Sequence, residues 1–297
     1  MNKIKGCLSK PEPSALIAIA ALSLCALLPL RVYQVTTLIE PETGFFSKSN
    51  FTVPLFYVIG AVVILALMVL SYLNSKASRA RNSITTGKSL GIVAVITALS
   101  ITFNAVTSFT SFIELNGDYS AYIHGPYISF LTKSGAAPLV LEAVFGALTA
   151  FFFCIYAISC FKKNVSLSSF SILAAAPAIW AICRIVFRFL AKISFVNVSD
   201  LLLELIMLVF MIMFFISFAQ IVTNLSPETV AWRLFGCGLP AAVVAFLVSV
   251  PRIFLTVIGH SELIVEGYGF EFCDLMLALF IPVFLYHTAT AKKAETK

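Results

Sequence analysis

The chain has 297 residues, of which 60% are hydrophobic and only 11% charged, and its mean hydropathy is +1.00. Soluble domains carry about a quarter charged residues, so a deficit spread along the whole length reads as a multi-pass membrane protein. The formal net charge of +6 acquires meaning only when it is divided between the two membrane sides.

The first apolar stretch follows Lys3, Lys5 and Lys10. It is too long for the core of a signal peptide, and no small-x-small cleavage site follows it. Cys25 is preceded by Leu24 rather than by the small residue of a lipoprotein site. The stretch therefore reads as a retained first span.

A spanning helix needs about 20 mostly apolar residues. Eight segments meet this, at approximately 14–38, 51–73, 90–115, 136–161, 167–193, 198–222, 231–258 and 269–290. The expected fold is an all-α polytopic membrane helix bundle of about eight transmembrane helices, forming one integral domain over 1–297. No segment is long or polar enough for a soluble domain, which argues against a built-in ATPase or kinase module.

Orientation follows from Lys and Arg near the span ends. Lys3, Lys5, Lys10, Lys76, Arg79, Arg81, Lys88, Lys162, Lys163, Arg233, Lys292, Lys293 and Lys297 fall on one side, opposed only by Glu12, Glu228 and Glu295. Eight spans with both termini cytoplasmic satisfy every loop, and the localisation implied is the cell membrane. The basic loop SKASRARNSITTGK is ordinary positive-inside bias, strengthened by anionic lipid. It calls for no nucleic-acid partner.

In the third span Thr97, Ser100, Asn104, Thr107, Ser111 and Glu114 are separated by three or four residues and share one helix face. Such a polar stripe is either a seam for helix packing, the commoner case, or part of a conduction path. The outer loops are acidic and aromatic. The first turns at Pro41–Gly44 and sets Phe45 and Phe46 at the interface. The third carries Tyr119, Tyr122, His124 and Tyr127, an interfacial belt or a lid.

The informative stretch is 177–208. Arg184 and Arg188 are four apart on one apolar arm, and Asp200 and Glu204 are four apart on the next. Residues at i and i+4 share a face, so a hairpin turning near 193–198 lets Arg188 meet Glu204. Glu142, Arg252, Glu271 and Asp274 fall at the same outer level, whereas the inner halves carry no comparable charge. Arg184 lies roughly 13 Å below its helix end, too deep for easy snorkelling.

Ionisable groups inside a membrane face protein or water and mark functional sites by default. One reading pairs them as a lock: Arg188 with Glu204, Arg252 with Asp274, Arg184 with Glu142. The other leaves an arginine free for a carboxylate or phosphate, with Trp180 one turn below Arg184 as the chamber floor.

Catalytic signatures are lacking: no HExxH, no phosphate-binding glycine loop, no GxSxG. The expectation is a protein that is not an enzyme. The seven cysteines show no CxxC and read as apolar filler, and no cofactor is implied. His124 and His260 could meet beside Glu262 or Glu266, but loop histidines of this kind are ordinarily solvated, and no metal is assigned.

Two functions fit the residues. The first is a transporter or permease-like protein for a small anionic or zwitterionic solute. Arg184, Arg188, Arg252 and Trp180 would bind it, and Glu142, Glu204, Glu271 or Asp274 would couple protons. The second is a non-transporting module, a ligand sensor or the subunit of a membrane complex, in which the charges are structural salt bridges. The lipid bilayer is a partner in both. A small-molecule ligand belongs to the first and a membrane protein partner to the second.

Overall fold

The computed structural model describes residues 13–40, 45–47, 49–75, 87–117, 136–162, 167–190, 198–223, 230–264 and 271–294. These are all-α, with eight α-helices: α1 (Pro13–Thr37), α2 (Thr52–Ser75), α3 (Lys88–Gly117), α4 (Ala136–Phe161), α5 (Ala176–Leu190), α6 (Val198–Val222), α7 (Val230–Val257) and α8 (Phe272–Ala294). All except α5 are long and apolar enough to cross a membrane. The chain is an integral, multi-pass membrane protein whose helices contact lipid. Leu22, Val62, Leu99 and Phe103 are among the large apolar side chains on its outer surface, a surface that lipid tails would cover.

The fifth apolar segment differs from the uninterrupted helix expected at 167–193. Its first part forms two short 3₁₀ turns, Leu167–Phe170 and Leu173–Ala175, and the 15-residue α5 follows. The break falls just before Pro177. This proline lacks an N–H and its ring crowds the preceding turn, and here it stands in the first turn of α5, the position where that costs least.

The most deeply buried helix is α7, which packs against α1, α2, α6 and α8. α3 packs along α4 and also touches α8, while α5 sits against α4 and α6. The α3–α4 seam is close because its facing residues are small. A Cβ on Gly146 would stand 3.1 Å from the Ala105 Cβ and 3.3 Å from the Trp180 indole nitrogen.

Away from the charged ends, an aromatic layer fills the bundle. Phe152, Phe153 and Tyr156 of α4, Phe214 and Phe218 of α6, and Phe280 and Phe284 of α8 are all buried. Phe218 and Phe284 meet edge to face at 4.9 Å between centroids, as do Phe153 and Phe280 at 5.0 Å. This layer lies about 9–15 Å along α8 from Asp274 and about 15–21 Å along α6 from Glu204, at 1.5 Å per residue.

At the opposite end Val35, Ile39 and Leu255 form a small second core with Phe46, Leu263 and Ile264 packed on it. Phe46 is thereby partly covered by protein, while Phe45 is exposed. The Pro41–Gly44 turn, the basic loop at 76–86, the aromatic loop with Tyr119, Tyr122, His124 and Tyr127, the 193–198 corner up to Val198, and Glu266 lie outside the described residues.

Candidate functional site

Eight charged side chains make one chain of alternating sign. Arg31 Nη2 donates to Asp200 Oδ1 at 2.5 Å. The same Asp200 oxygen lies 3.9 Å from Arg252 Nη2. Arg252 Nη1 donates to Glu204 Oε1 at 2.7 Å, and Arg188 Nε stands 2.9 Å from Glu204 Oε2. Arg188 Nη2 donates to Glu271 Oε1 at 2.7 Å, and the other oxygen of Glu271 accepts from Arg184. Arg184 ends the series with a fork onto Asp274, at 2.6 Å to Oδ1 and 2.9 Å to Oδ2.

Local sequence explains the ladder. Arg184 with Arg188 and Asp200 with Glu204 are each one helical turn apart, so each pair faces the same way. Asp200 and Asp274 occupy first turns of α6 and α8, and Arg188 the last turn of α5. These are the ends at which helix dipoles favour those signs. Arg31, Arg184, Arg252, Glu142, Asp200, Glu204 and Asp274 are all buried. Arg184 also lies over the Trp180 ring, 5.1 Å from guanidinium carbon to centroid, a desolvated cation–π contact.

Of the three pairs expected from sequence, Arg188–Glu204 forms. The other two are corrected. Arg252 turns to Glu204 and Asp200 on the neighbouring α6, because α6 and α7 pack along each other. Arg184 reaches past Glu142 to Glu271 and Asp274, since a long guanidinium side chain can fork onto Asp274 and still touch Glu271. Arg31 had no place in the sequence-level site. It is fully buried, yet near the end of the first span it reads as one more flanking cation. The signal that could have found it is the lone Asp200, which had no assigned partner.

A polar cavity of about 190 Å³ opens beside the ladder, lined by Asn104, Thr107, Ser108, Ser111, Leu139, Glu142, Arg184, Phe187, Arg188 and Glu271. Arg252, Glu204, Asp274 and Trp180 do not line it. Glu142 is 5% exposed and accepts from Ser108 Oγ at 3.2 Å. Ser108 itself was not part of the predicted stripe, because it lies one position round the helix from Thr107. The stripe divides. Thr97 and Ser100 are buried and donate to carbonyls of their own helix, at Val93 and Thr97. Asn104, Thr107 and Ser111 reach the cavity, and Glu114 is exposed away from it.

Glu271, Cys273 and Asp274 place a ligand atom each within 4.8 Å of one another. Both carboxylates are already held by Arg184, so a metal there would have to displace a guanidinium. His260 Nδ1 lies 2.8 Å from Glu262 Oε1 in the exposed turn after α7, and this bond lowers the Glu262 carboxyl below its ordinary range.

Comparison of the chain with protein-family models, with curated proteins and with solved structures finds no match.

Proposed function

We propose that the chain is an eight-span protein of the cell membrane, with both termini cytoplasmic, whose charged cavity binds a small zwitterionic solute for transport. The observation that carries this reading is a cavity with cations and anions on its walls, Arg184 and Arg188 beside Glu142 and Glu271. Such a lining suits a ligand bearing both signs better than a plain anion, because each arginine already holds carboxylates. The fifth segment counts as a span when its 3₁₀ turns are added to α5. The proposal assigns no catalytic step.

Uptake of radiolabelled glycine, alanine and taurine into proteoliposomes tests it. Saturable uptake of at least one, lost in Arg188→Met while the protein keeps its detergent-extracted fold, supports transport. No uptake with any of them sets the transport reading aside. A reporter fused to either terminus and found outside the cell overturns the orientation.

A second reading is favoured by the ladder itself. Its alternation leaves each of its guanidiniums against a carboxylate, which suits a lock that fixes helix order in a non-transporting module. In that case every ladder variant loses folding together, no solute moves, and a stoichiometric membrane partner co-purifies.

A further inference from the structure

The ladder is balanced among the described residues: the guanidiniums of Arg31, Arg184, Arg188 and Arg252 meet the carboxylates of Asp200, Glu204, Glu271 and Asp274. Glu142 is a fifth acid. Among the described residues no Lys or Arg nitrogen comes within 4.0 Å of it, and its hydrogen bond is the one from Ser108. Arg184 and Arg188 share its cavity and act on it only from beyond ion-pair distance. A buried carboxylate without a direct partner is costly, and the space next to this one is the cavity.

Asn104 supplies an independent observation. Its Oδ1 is buried without a hydrogen-bond partner, and the residue lines the same cavity. Arginine donors on the opposite wall are engaged by acids. The lining itself holds two guanidiniums and two carboxylates, but both arginines are already paired with acids of the ladder, which leaves the Glu142 carboxylate as the charge left over and the Asn104 amide oxygen as an acceptor without a partner beside it. A group with several donors and one positive charge answers both. A primary ammonium has three donors and no acceptor, and a volume of about 190 Å³ limits what it is attached to.

We propose that Glu142 and Asn104 form an ammonium-recognition site, so that the ligand of this cavity is a small primary amine or an amine-bearing zwitterion. This rests on the cavity being a solute site, and it names the end of the solute that is recognised. Ser108 holds the Glu142 carboxylate in place from α3. The acid end of a zwitterion would point toward Arg188, which is the more exposed of the two cavity arginines.

The test uses the full chain in lipid nanodiscs, with isothermal titration and thermal unfolding read for chlorides of methylammonium, tetramethylammonium and sodium, for sodium acetate, and for glycine, all at equal ionic strength. Methylammonium and glycine are expected to bind saturably and raise the unfolding temperature. Tetramethylammonium, which has no N–H, and sodium are expected to do neither. Glu142→Gln and Asn104→Leu should each weaken methylammonium binding at least tenfold. Glu142→Gln should unfold at the wild-type temperature or above, since it removes a buried carboxylate that no guanidinium pairs directly.

Acetate binding without methylammonium binding overturns the ammonium site and leaves a solute cavity standing. Sodium binding as well as methylammonium overturns recognition through N–H donors. Methylammonium binding that both variants retain overturns the placement. Binding of no probe, with Glu142→Gln more stable than wild type, means that Glu142 merely carries a proton, and the ammonium site and the solute cavity fall together.

Discussion

Arg31 and Asp200 are 169 residues apart in the chain and 2.5 Å apart in the fold. The contact fastens α1 to the first turn of α6, two helices that otherwise meet mainly through α7. Both side chains are buried. Arg31 is oriented by Gln34, and Gln34 donates in turn to the Thr52 carbonyl at the start of α2. Removing one partner of a buried pair costs about 3–5 kcal/mol because the other is left charged and dry. Arg31→Met and Asp200→Asn are each expected to destabilise by that order. The double variant should fall well short of their sum, as contacting residues do in a double-mutant cycle. Denaturant unfolding of the four proteins in one detergent measures this, and additive losses would show that the pair is not coupled.

The apolar run lengths carried most of the fold. Segments at 136–161 and 198–222 coincide with α4 and α6 to the residue, because nothing inside them interrupts helical hydrogen bonding and charged or polar residues flank them. The fifth segment was less legible. Hydropathy counts apolar residues without asking whether the backbone stays α-helical through them, and here two 3₁₀ turns precede α5. Helical spacing placed Arg188 opposite Glu204, since only seven residues of chain separate those arms. It could not assign Arg184 or Arg252, whose partners depend on which helices are neighbours, and that is set by packing between distant segments. The cavity was legible only as a level in the membrane. Its walls come from α3, α4 and α5 with Glu271, and no periodicity within one helix reveals such an arrangement.

Glu204 stands between two arginines, whereas Asp274 at the end of the ladder meets Arg184 alone. One oxygen serves Arg252 and the other Arg188. Neutralising it removes counter-charge from two guanidiniums at once. Glu204→Gln keeps the shape and is expected to destabilise by more than Glu142→Gln, which leaves the ladder intact. The hydrogen bond from Arg252 contributes about 1.5–3 kcal/mol, and the ion pair with Arg188 is lost with it, so the loss should exceed that of a single contact. Parallel thermal unfolding of the two variants decides it. Equal melting temperatures would mean that Glu204 is not shared as its geometry implies.

Gly146 tests whether packing, apart from charge, positions the site. It lies on α4 where Ala105 of α3 and Trp180 of α5 both close in, and a Cβ there would come within 3.4 Å of either. Trp180 is wholly buried, so its ring has little room to yield, and Arg184 lies across its face. Gly146→Leu must therefore push α3 and α5 away from α4. Overpacking of this kind typically costs about 1–3 kcal/mol, and here the displaced indole also carries the guanidinium that borders the cavity. The expected result is a lower unfolding temperature together with weakened solute binding, although residue 146 does not line the cavity. Gly146→Ala should show a smaller loss of both, because the neighbours need give by only a few tenths of an ångström. A leucine variant that melts as wild type and binds as wild type would show that the α3–α4–α5 contact does not hold the arginine in place.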